Sequence, residues 1–336
     1  MTAGKHSVGW MILELLTSVI IFLVISTYLS SDDYTVSSSS PPYEHIRVAC
    51  TPGYVASKAA KIISNYSHNH TTFLQLSDYF WTVNKSLYSL PYGTKGSELE
   101  IMQALALTQH YHLPQEIERL ECRRCVVVGN GNRLKNSSLG EIIDRYNIVI
   151  RLNNAPVHNY EKDVGTKTTM RLFYPESAFF DLRLDANPET LMVLVPYKRL
   201  DLQWLKTILN NEKRIKKGFW KKPPMIWDVN PENLRILNPY YMEVAALRLL
   251  GLNKKNNKLI KPTTGLMAIS FAIHFCDLVH IAGFGYPAPT NKTEFVHYYD
   301  KTLMKQLLVS EHKVPLEAIA IKKLLKHNVI HNLTYF

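Results

Sequence analysis

The hydrophobic pattern changes character along the chain. From Gly9 to Leu29 apolar residues run almost unbroken, interrupted by Glu14 and a few Ser and Thr. The run is about 20 residues long, which matches a membrane-crossing helix. Lys5 and His6 precede it, and Asp32 and Asp33 follow it. That polarity places residues 1–8 in the cytosol and the remainder across the membrane. A cleaved signal peptide fits less well, because the run exceeds a normal apolar core and no small-residue cleavage site follows. Residues 30–46 include Ser37-Ser38-Ser39-Ser40-Pro41-Pro42 and read as a flexible stem. Globular patterning starts near Cys50, so residues 47–336 are expected to form one lumenal domain.

Within that domain short apolar runs alternate with helical periodicity. Strands are expected at 125–129, 147–152, 169–174, 191–195, 234–237 and 278–283. Helices are expected at about 138–146, 201–210, 240–250, 264–276 and 316–327. This alternation predicts an α/β domain with a largely parallel sheet and helices on both faces.

One segment carries the first chemical signal. Val126-Val127-Val128 runs into Gly129-Asn130-Gly131, a helical stretch follows, and a second strand spans Ile148 to Leu152. That is the layout of a nucleotide-binding βαβ unit. The dinucleotide fingerprint fails, because Leu134 stands where its third Gly belongs. The second strand also ends in Arg151-Leu152-Asn153-Asn154, with no acidic residue for a ribose. Asn130 and Asn153 are instead expected at the carboxyl ends of adjacent strands, where an amide can read a nucleotide from both its donor and acceptor sides. Lys261-Pro262-Thr263-Thr264-Gly265 precedes an apolar helix. It reads either as a plain capped core helix or as an anion site built from first-turn amides.

Composition narrows the setting. The 336-residue chain carries a formal charge of +11, which suggests an anionic partner. No zinc-finger or RNA-binding signature is present, so nucleic acid is not expected. Sequons begin at Asn65, Asn69, Asn84, Asn136, Asn291 and Asn332 and favour a lumenal domain. Cys50, Cys122, Cys125 and Cys276 allow two disulfides with three possible pairings. Cys122-Arg123-Arg124-Cys125 resembles a redox or zinc pair, but Cys125 opens a strand rather than a helix, and zinc would need all four thiols together. His68 with His70, and His110 with His112, show no third ligand and read as solvated or packed.

Cys125 to Leu172, with RLNNAP and the adjoining DVGTKTTMRLFYPES, resembles the large sialyl motif of animal sialyltransferases. Pro262 to Gly285 resembles their small motif, His297-Tyr298-Tyr299 the third, and His312-Lys313-Val314-Pro315-Leu316-Glu317 the very small motif. The stretches FLQLSDYFW, LPYGTKGSE, GFWKKPPMIWDVNPENLRILNP and HIAGFGYP resemble the β-galactoside α-2,3 branch of that family.

The resemblance implies a Rossmann-like GT-A variant that uses CMP-N-acetylneuraminate as donor. Asn130 and Asn153 would hold the CMP; Thr263, Thr264 and Gly265 would meet ribose and phosphate; Gly285 would line the cytidine side. Asn238 falls near where relatives place a phosphate-contacting Tyr, and Lys261 where some have an acceptor-side Tyr. The family's general base corresponds to His312, and His297 would donate to the leaving phosphate. A disulfide joining the large and small motifs becomes Cys125–Cys276, which leaves Cys50 with Cys122. Residence in the Golgi membrane follows from the family and the anchor, with a soluble form released at the stem.

Expected acceptors are galactose-terminated glycoprotein and glycolipid glycans, with Galβ1-4GlcNAc preferred. Galβ1-3GalNAc, Galβ1-3GlcNAc and glycolipids are the alternatives, and a non-catalytic binder of CMP-sialic acid or glycans is the reading from another class. Acceptor contacts are sought in 79–93 and 217–229, where Trp81, Tyr92, Trp220 and Trp227 can stack on sugar or serve the core. No cofactor and no metal is expected. An Asp-x-Asp triplet is lacking, with Asp181 and Asp185 four apart, and CMP carries a single phosphate to neutralise.

Overall fold

The computed structural model describes residues 50–67, 70–80, 86–108, 110–252, 261–287, 290–308 and 312–334. The expected tail 1–8, anchor 9–29 and stem 30–46 lie outside the described residues, as do the sequons at Asn69 and Asn84, together with His68 and Trp81. Among the described residues no helix is long and apolar enough to cross a membrane.

The domain is built on seven parallel strands: β1 Arg124–Val128, β2 Ile148–Leu152, β3 Met170–Phe173, β4 Leu191–Leu194, β5 Leu234–Ile236, β6 Leu278–Ala282 and β7 His331–Asn332. Their order is β5-β4-β3-β2-β1-β6-β7. The chain steps outward from β1 to β5, then crosses back to lay β6 on the other side of β1. Strand order therefore reverses between β1 and β6, and at such a switch point the loops part and leave a crevice at the carboxyl edge.

The strands are buried on both faces and mostly apolar, as a covered parallel sheet requires, with Arg151, Arg171, Arg235 and His280 as the buried polar exceptions. Cys125, Val127, Ile148, Ile150, Met170, Leu172, Leu191 and Val193 form one core with helices α1 (Tyr54–Ala59), α4 (Tyr240–Glu243) and α5 (Thr264–Phe275). Residues from intervening positions, Phe173, Met192 and Leu194, pack with α2 (Glu98–Thr108) and α3 (Arg199–Leu209) on the opposite face. Helices thus cover both faces, as the alternation predicts. Each fully buried aliphatic side chain contributes about 1.5–3 kcal/mol, so the two cores dominate the stability.

α5 is apolar all round and buried at every position except Gly265, which marks a helix enclosed by its neighbours. Its last turn is tied to β1 by the Cys125–Cys276 disulfide, while Cys50–Cys122 pins the start of the domain. Both bonds form the pairing that the family resemblance implies, and Cys122 and Cys125 belong to different disulfides.

The expected elements need modest correction. The helix expected over 138–146 is confined to Gly140–Asp144. That over 240–250 begins as α4 and continues as a π-helix at Val244–Leu249. β7 has two residues, too few to show periodicity, and α2 was not expected although Ile101, Ala104, Leu105 and Thr108 follow helical spacing. The final long helix, α6, is Val314–Lys326.

Candidate active site

The site forms where the carboxyl ends of the strands meet the start of α5. β1 hands over to Gly129-Asn130-Gly131, which packs directly on the turn after β6. Gly129 N–H donates to the Ala282 carbonyl at 2.8 Å, and Gly131 N–H to the Gly283 carbonyl at 2.9 Å. A Cβ on Gly131 would lie 2.4 Å from the Gly283 oxygen. These glycines therefore serve close backbone packing of two turns. The same turn pairs with the third-motif segment: Asn132 N–H donates to Val296 and Tyr298 N–H to Asn130, at 2.8 and 3.1 Å. This pairing carries His297 and Tyr299 to the cleft.

Asn130 donates through Nδ2 to the Tyr299 hydroxyl at 3.4 Å, and its Oδ1 is buried without a partner. Asn153 repeats the pattern after β2. Its backbone is left-handed, φ +53°, a conformation Asn tolerates better than most residues, and its Oδ1 is also buried and unpartnered. Orphaned buried acceptors at two adjacent strand ends fit a polar ligand that donates to them.

Arg171 holds the Asn153 loop from below. Its Nη1 donates to the carbonyls of Asn153 and Ala155, each at 2.9 Å, and Nη2 to that of Asp185 at 2.6 Å. Arg151 braces the next turn through Val164 and Lys167. Burial pushes both guanidinium groups down to about 10, so both remain charged near neutrality.

At the start of α5, Thr263 is the N-cap and accepts from Leu266 N–H at 3.2 Å. First-turn amides of Thr264 and Gly265 have no intrahelical acceptor, so they face a ligand with partial positive charge. Buried Glu317 grips Thr263 twice, accepting from its N–H at 2.8 Å and its hydroxyl at 2.5 Å. Burial raises the Glu317 carboxyl above its usual range, against the opposing pull of Thr263 and of nearby His312. His312 Nδ1 lies 2.8 Å from the Lys261 carbonyl. A neutral imidazole donating there keeps its lone pair on Nε2, the arrangement of a base. His297 Nδ1 donates to Asp300 Oδ2 at 2.9 Å and stacks on Tyr299 at 5.2 Å. Burial works against the Asp300 charge, but bonds from Thr302 and His297 outweigh it and hold its carboxyl below the usual range. With Nδ1 held by Asp300, the Nε2 edge of the His297 ring is left for the cleft.

Asn130, Asn153, Thr263, Thr264, Gly265, Gly285, His297 and His312 all line a single cleft of about 960 Å³, as does Lys261. Asn238 is not among the lining residues. It donates through Nδ2 to Thr71 and accepts from Tyr240 N–H, closing the turn after β5. Three sequon residues, Asn65, Asn136 and Asn291, are exposed. Asn332 differs: it sits in β7 with its amide nitrogen buried and its Oδ1 accepting from Thr334. Among the described residues no cluster of three or more His, Cys, Asp or Glu is arranged to hold a metal ion.

The cleft also contains residues the motifs did not single out. Tyr174, Glu176 and Ser177 follow β3, and Tyr197 and Lys198 follow β4. The Tyr197 hydroxyl is 3.2 Å from that of Thr264 and links the two sides of the cleft. Lys198 bridges Glu176 at 2.8 Å and Asp201 at 3.0 Å. Burial raises the Asp201 carboxyl to about 6, although Lys198 opposes it. The Tyr-Pro-Glu-Ser run after β3 was the available signal for this half.

One cleft thus joins two strand-end amides with orphaned oxygens, a helix N-terminus and two histidines. The chain belongs to glycosyltransferase family 29, the sialyltransferases: the description Glycosyltransferase family 29 (sialyltransferase) matches residues 71–329. It is 51% identical to CMP-N-acetylneuraminate-beta-galactosamide-alpha-2,3-sialyltransferase 4 of Rattus norvegicus, over the full length of both chains. It is 41% identical to the Type 2 lactosamine alpha-2,3-sialyltransferase of Pan troglodytes, over 74% of this chain and 75% of that one. A mammalian sialyltransferase crystallised with Gal-beta-1-3GalNAc-ortho-nitrophenol superposes with a TM-score of 0.63 at 26% identity, covering 83% of this chain and 94% of that one.

Proposed function

We propose that this glycosyltransferase moves sialic acid from CMP-N-acetylneuraminate to the 3-hydroxyl of a terminal galactose, with Galβ1-4GlcNAc as the preferred acceptor. The observation that carries this reading is the convergence of His297 and His312 with Asn130, Asn153 and the Thr263–Gly265 helix start on one cleft.

A galactose hydroxyl is a weak nucleophile and must lose its proton as it attacks. His312 takes that proton at Nε2 while its Nδ1 stays bound to the Lys261 carbonyl. The new bond forms at the sialic acid anomeric carbon as the bond to the CMP phosphate oxygen breaks, inverting the β-linked donor to an α-2,3 product. Negative charge grows on the leaving phosphate, where His297 and the first-turn amides of α5 stabilise it. Both donor sets are already oriented, by Asp300 and by the helix itself. CMP carries one phosphate, so these groups suffice and the reaction needs no metal ion or cofactor.

The Gly9–Leu29 segment is the membrane anchor in this reading, with the catalytic domain in the Golgi lumen and a soluble form released by cleavage of the stem. The test uses the full chain in detergent with CMP-sialic acid and Galβ1-4GlcNAc, Galβ1-3GlcNAc and Galβ1-3GalNAc, with and without EDTA. Product linkage is read with an α-2,3-specific sialidase. EDTA-resistant α-2,3 transfer, strongest on Galβ1-4GlcNAc, is the expected result. A preference for another acceptor overturns the acceptor assignment alone. CMP binding without transfer supports a non-catalytic binder instead.

A further inference from the structure

A loop from Asn211 to Trp227 forms one rim of the cleft and is braced at its base. The Arg214 guanidinium donates to Met225 at 2.6 Å, to Thr207 at 2.8 Å and to Asn211 Oδ1 at 2.9 Å. Trp204 Nε1 donates to the Pro224 carbonyl at 3.1 Å. Phe219 turns inward against the core beneath Lys198, 4.9 Å from its Nζ, and Gly218 takes φ +88° where a Cβ would come 2.7 Å from Leu200. The next residue does the opposite. Trp220 is 75% exposed and yet lines the cleft. An isolated exposed aromatic is ordinary. An indole presented to a substrate cleft by a loop tied down on both sides is an ordered surface held ready for contact.

Its place relative to the chemistry is set by the sheet. The nucleotide residues follow β1, β2 and β6, whereas Tyr174 follows β3 and Tyr197 and Lys198 follow β4. Strand spacing puts the ends of β3 and β4 about 10 Å and about 14 Å from that of β1. His312 is held by the Lys261 carbonyl, three residues before α5, and Tyr197 reaches Thr264, the first residue of the same helix. His312 and Trp220 line the same cleft, so a galactose at His312 whose aglycone extends away from the nucleotide residues meets the rim that carries Trp220.

We propose that Trp220 is the specificity-determining residue that reads the sugar next to galactose. The C–H-rich face of that pyranose packs on the electron-rich face of the indole, while galactose itself is held deeper in the cleft. This inference rests on the α-2,3-transfer reading above. It assigns the recognised class as a β-galactosyl disaccharide unit rather than galactose alone.

The test compares kcat/KM for methyl β-galactoside and for Galβ1-4GlcNAc, measured with one preparation each of the full-length enzyme, Trp220→Ala and Trp220→Phe. The ratio of the two values does not depend on how much of a preparation is folded. The wild-type ratio favours the disaccharide. Trp220→Ala lowers it about tenfold, the scale on which truncating an aromatic anchor acts, and Trp220→Phe keeps most of it. An unchanged ratio in Trp220→Ala overturns the proposal, and so does a Trp220→Phe ratio as low as that of Ala. A wild-type enzyme that transfers to neither acceptor instead overturns the transfer reading, so the two failures are distinct.

Discussion

Replacing His312 by alanine isolates the proposed base. General-base catalysis of this kind is worth about 10²–10⁴ in rate, which raises the barrier by about 3–5 kcal/mol. The cost to the scaffold is smaller. One hydrogen bond to the Lys261 carbonyl is lost, worth about 1 kcal/mol. Glu317 still holds Thr263 through both its N–H and its hydroxyl, so the helix start that meets the phosphate stays in place. Affinity for CMP should therefore change by no more than about threefold, under 1 kcal/mol, while kcat falls by at least about 100-fold. His312→Gln separates base from brace, because its amide can still donate toward Lys261 but cannot accept the proton; it should be as slow as the alanine variant. Single-turnover transfer with saturating donor gives the chemical rate, and calorimetry gives the CMP dissociation constant. A loss in kcat below tenfold in both variants would place the base elsewhere. A parallel loss of CMP affinity would make His312 a donor-binding residue.

Three further outcomes follow from the geometry. His297→Ala should lower kcat by about 10²–10³, as expected for a lost donor to developing charge, and Asp300→Asn should lower it by about tenfold through misorientation of that ring; equal effects would remove the distinction between donor and orienter. Arg171→Met leaves the carbonyls of Asn153, Ala155 and Asp185 without their donor at about 1–3 kcal/mol each, partly offset by no longer burying a charge. Urea unfolding should show a net loss above about 3 kcal/mol, with weaker CMP binding as the Asn153 loop relaxes. Asp201 has a folded pKa of about 6, above its ordinary 3.8, so its stabilising contribution is complete below about pH 4 and fades as pH rises through 6, by about 3 kcal/mol. The melting temperature of the wild type relative to Asp201→Asn should fall across that window, and a flat difference would mean that Lys198 fully compensates the buried charge.

The placement of Asn130 and Asn153 in the cleft was legible because parallel strands expose their logic. Runs such as Val126–Val128 and Ile148–Leu152 must be apolar on both faces, and the residues after them fall at the carboxyl edge whatever the loops do. Asn130 and Asn153 follow from that rule, and the Thr263 cap from the Thr-Thr-Gly run before an apolar helix. The turn at Gly129-Asn130-Gly131 was legible, but not its packing: both glycines admit the Gly283 backbone, a long-range approach that no local pattern encodes. Asn238 shows the opposite limit. The resemblance put it near the phosphate, but its side chain is spent on Thr71 and the Tyr240 amide and does not line the cleft.

The place of Trp220 at the cleft was illegible for a different reason. Trp220 and Trp227 stand seven residues apart in one aromatic, basic stretch, and composition treats them alike. Only the fold separates them. Trp227 packs against Phe173 and Trp204, with ring centroids 4.8 and 5.5 Å away, as a core residue. Trp220 is turned outward by Gly218 and by the tie from Arg214 to Met225, groups whose roles depend on Leu200, Thr207 and the core beneath. In the proposed reading, donor recognition lies at strand ends, whose position the sheet fixes. The proposed acceptor contact lies on a loop braced by side-chain hydrogen bonds. A family that keeps one donor and varies its acceptors is served by that division: the rim loop can be rebuilt without disturbing β1, β2, β6 or α5. Exchanging residues 217–222 between relatives should therefore move acceptor preference while donor affinity holds, and a swap that altered CMP binding instead would show that the two halves are not separable.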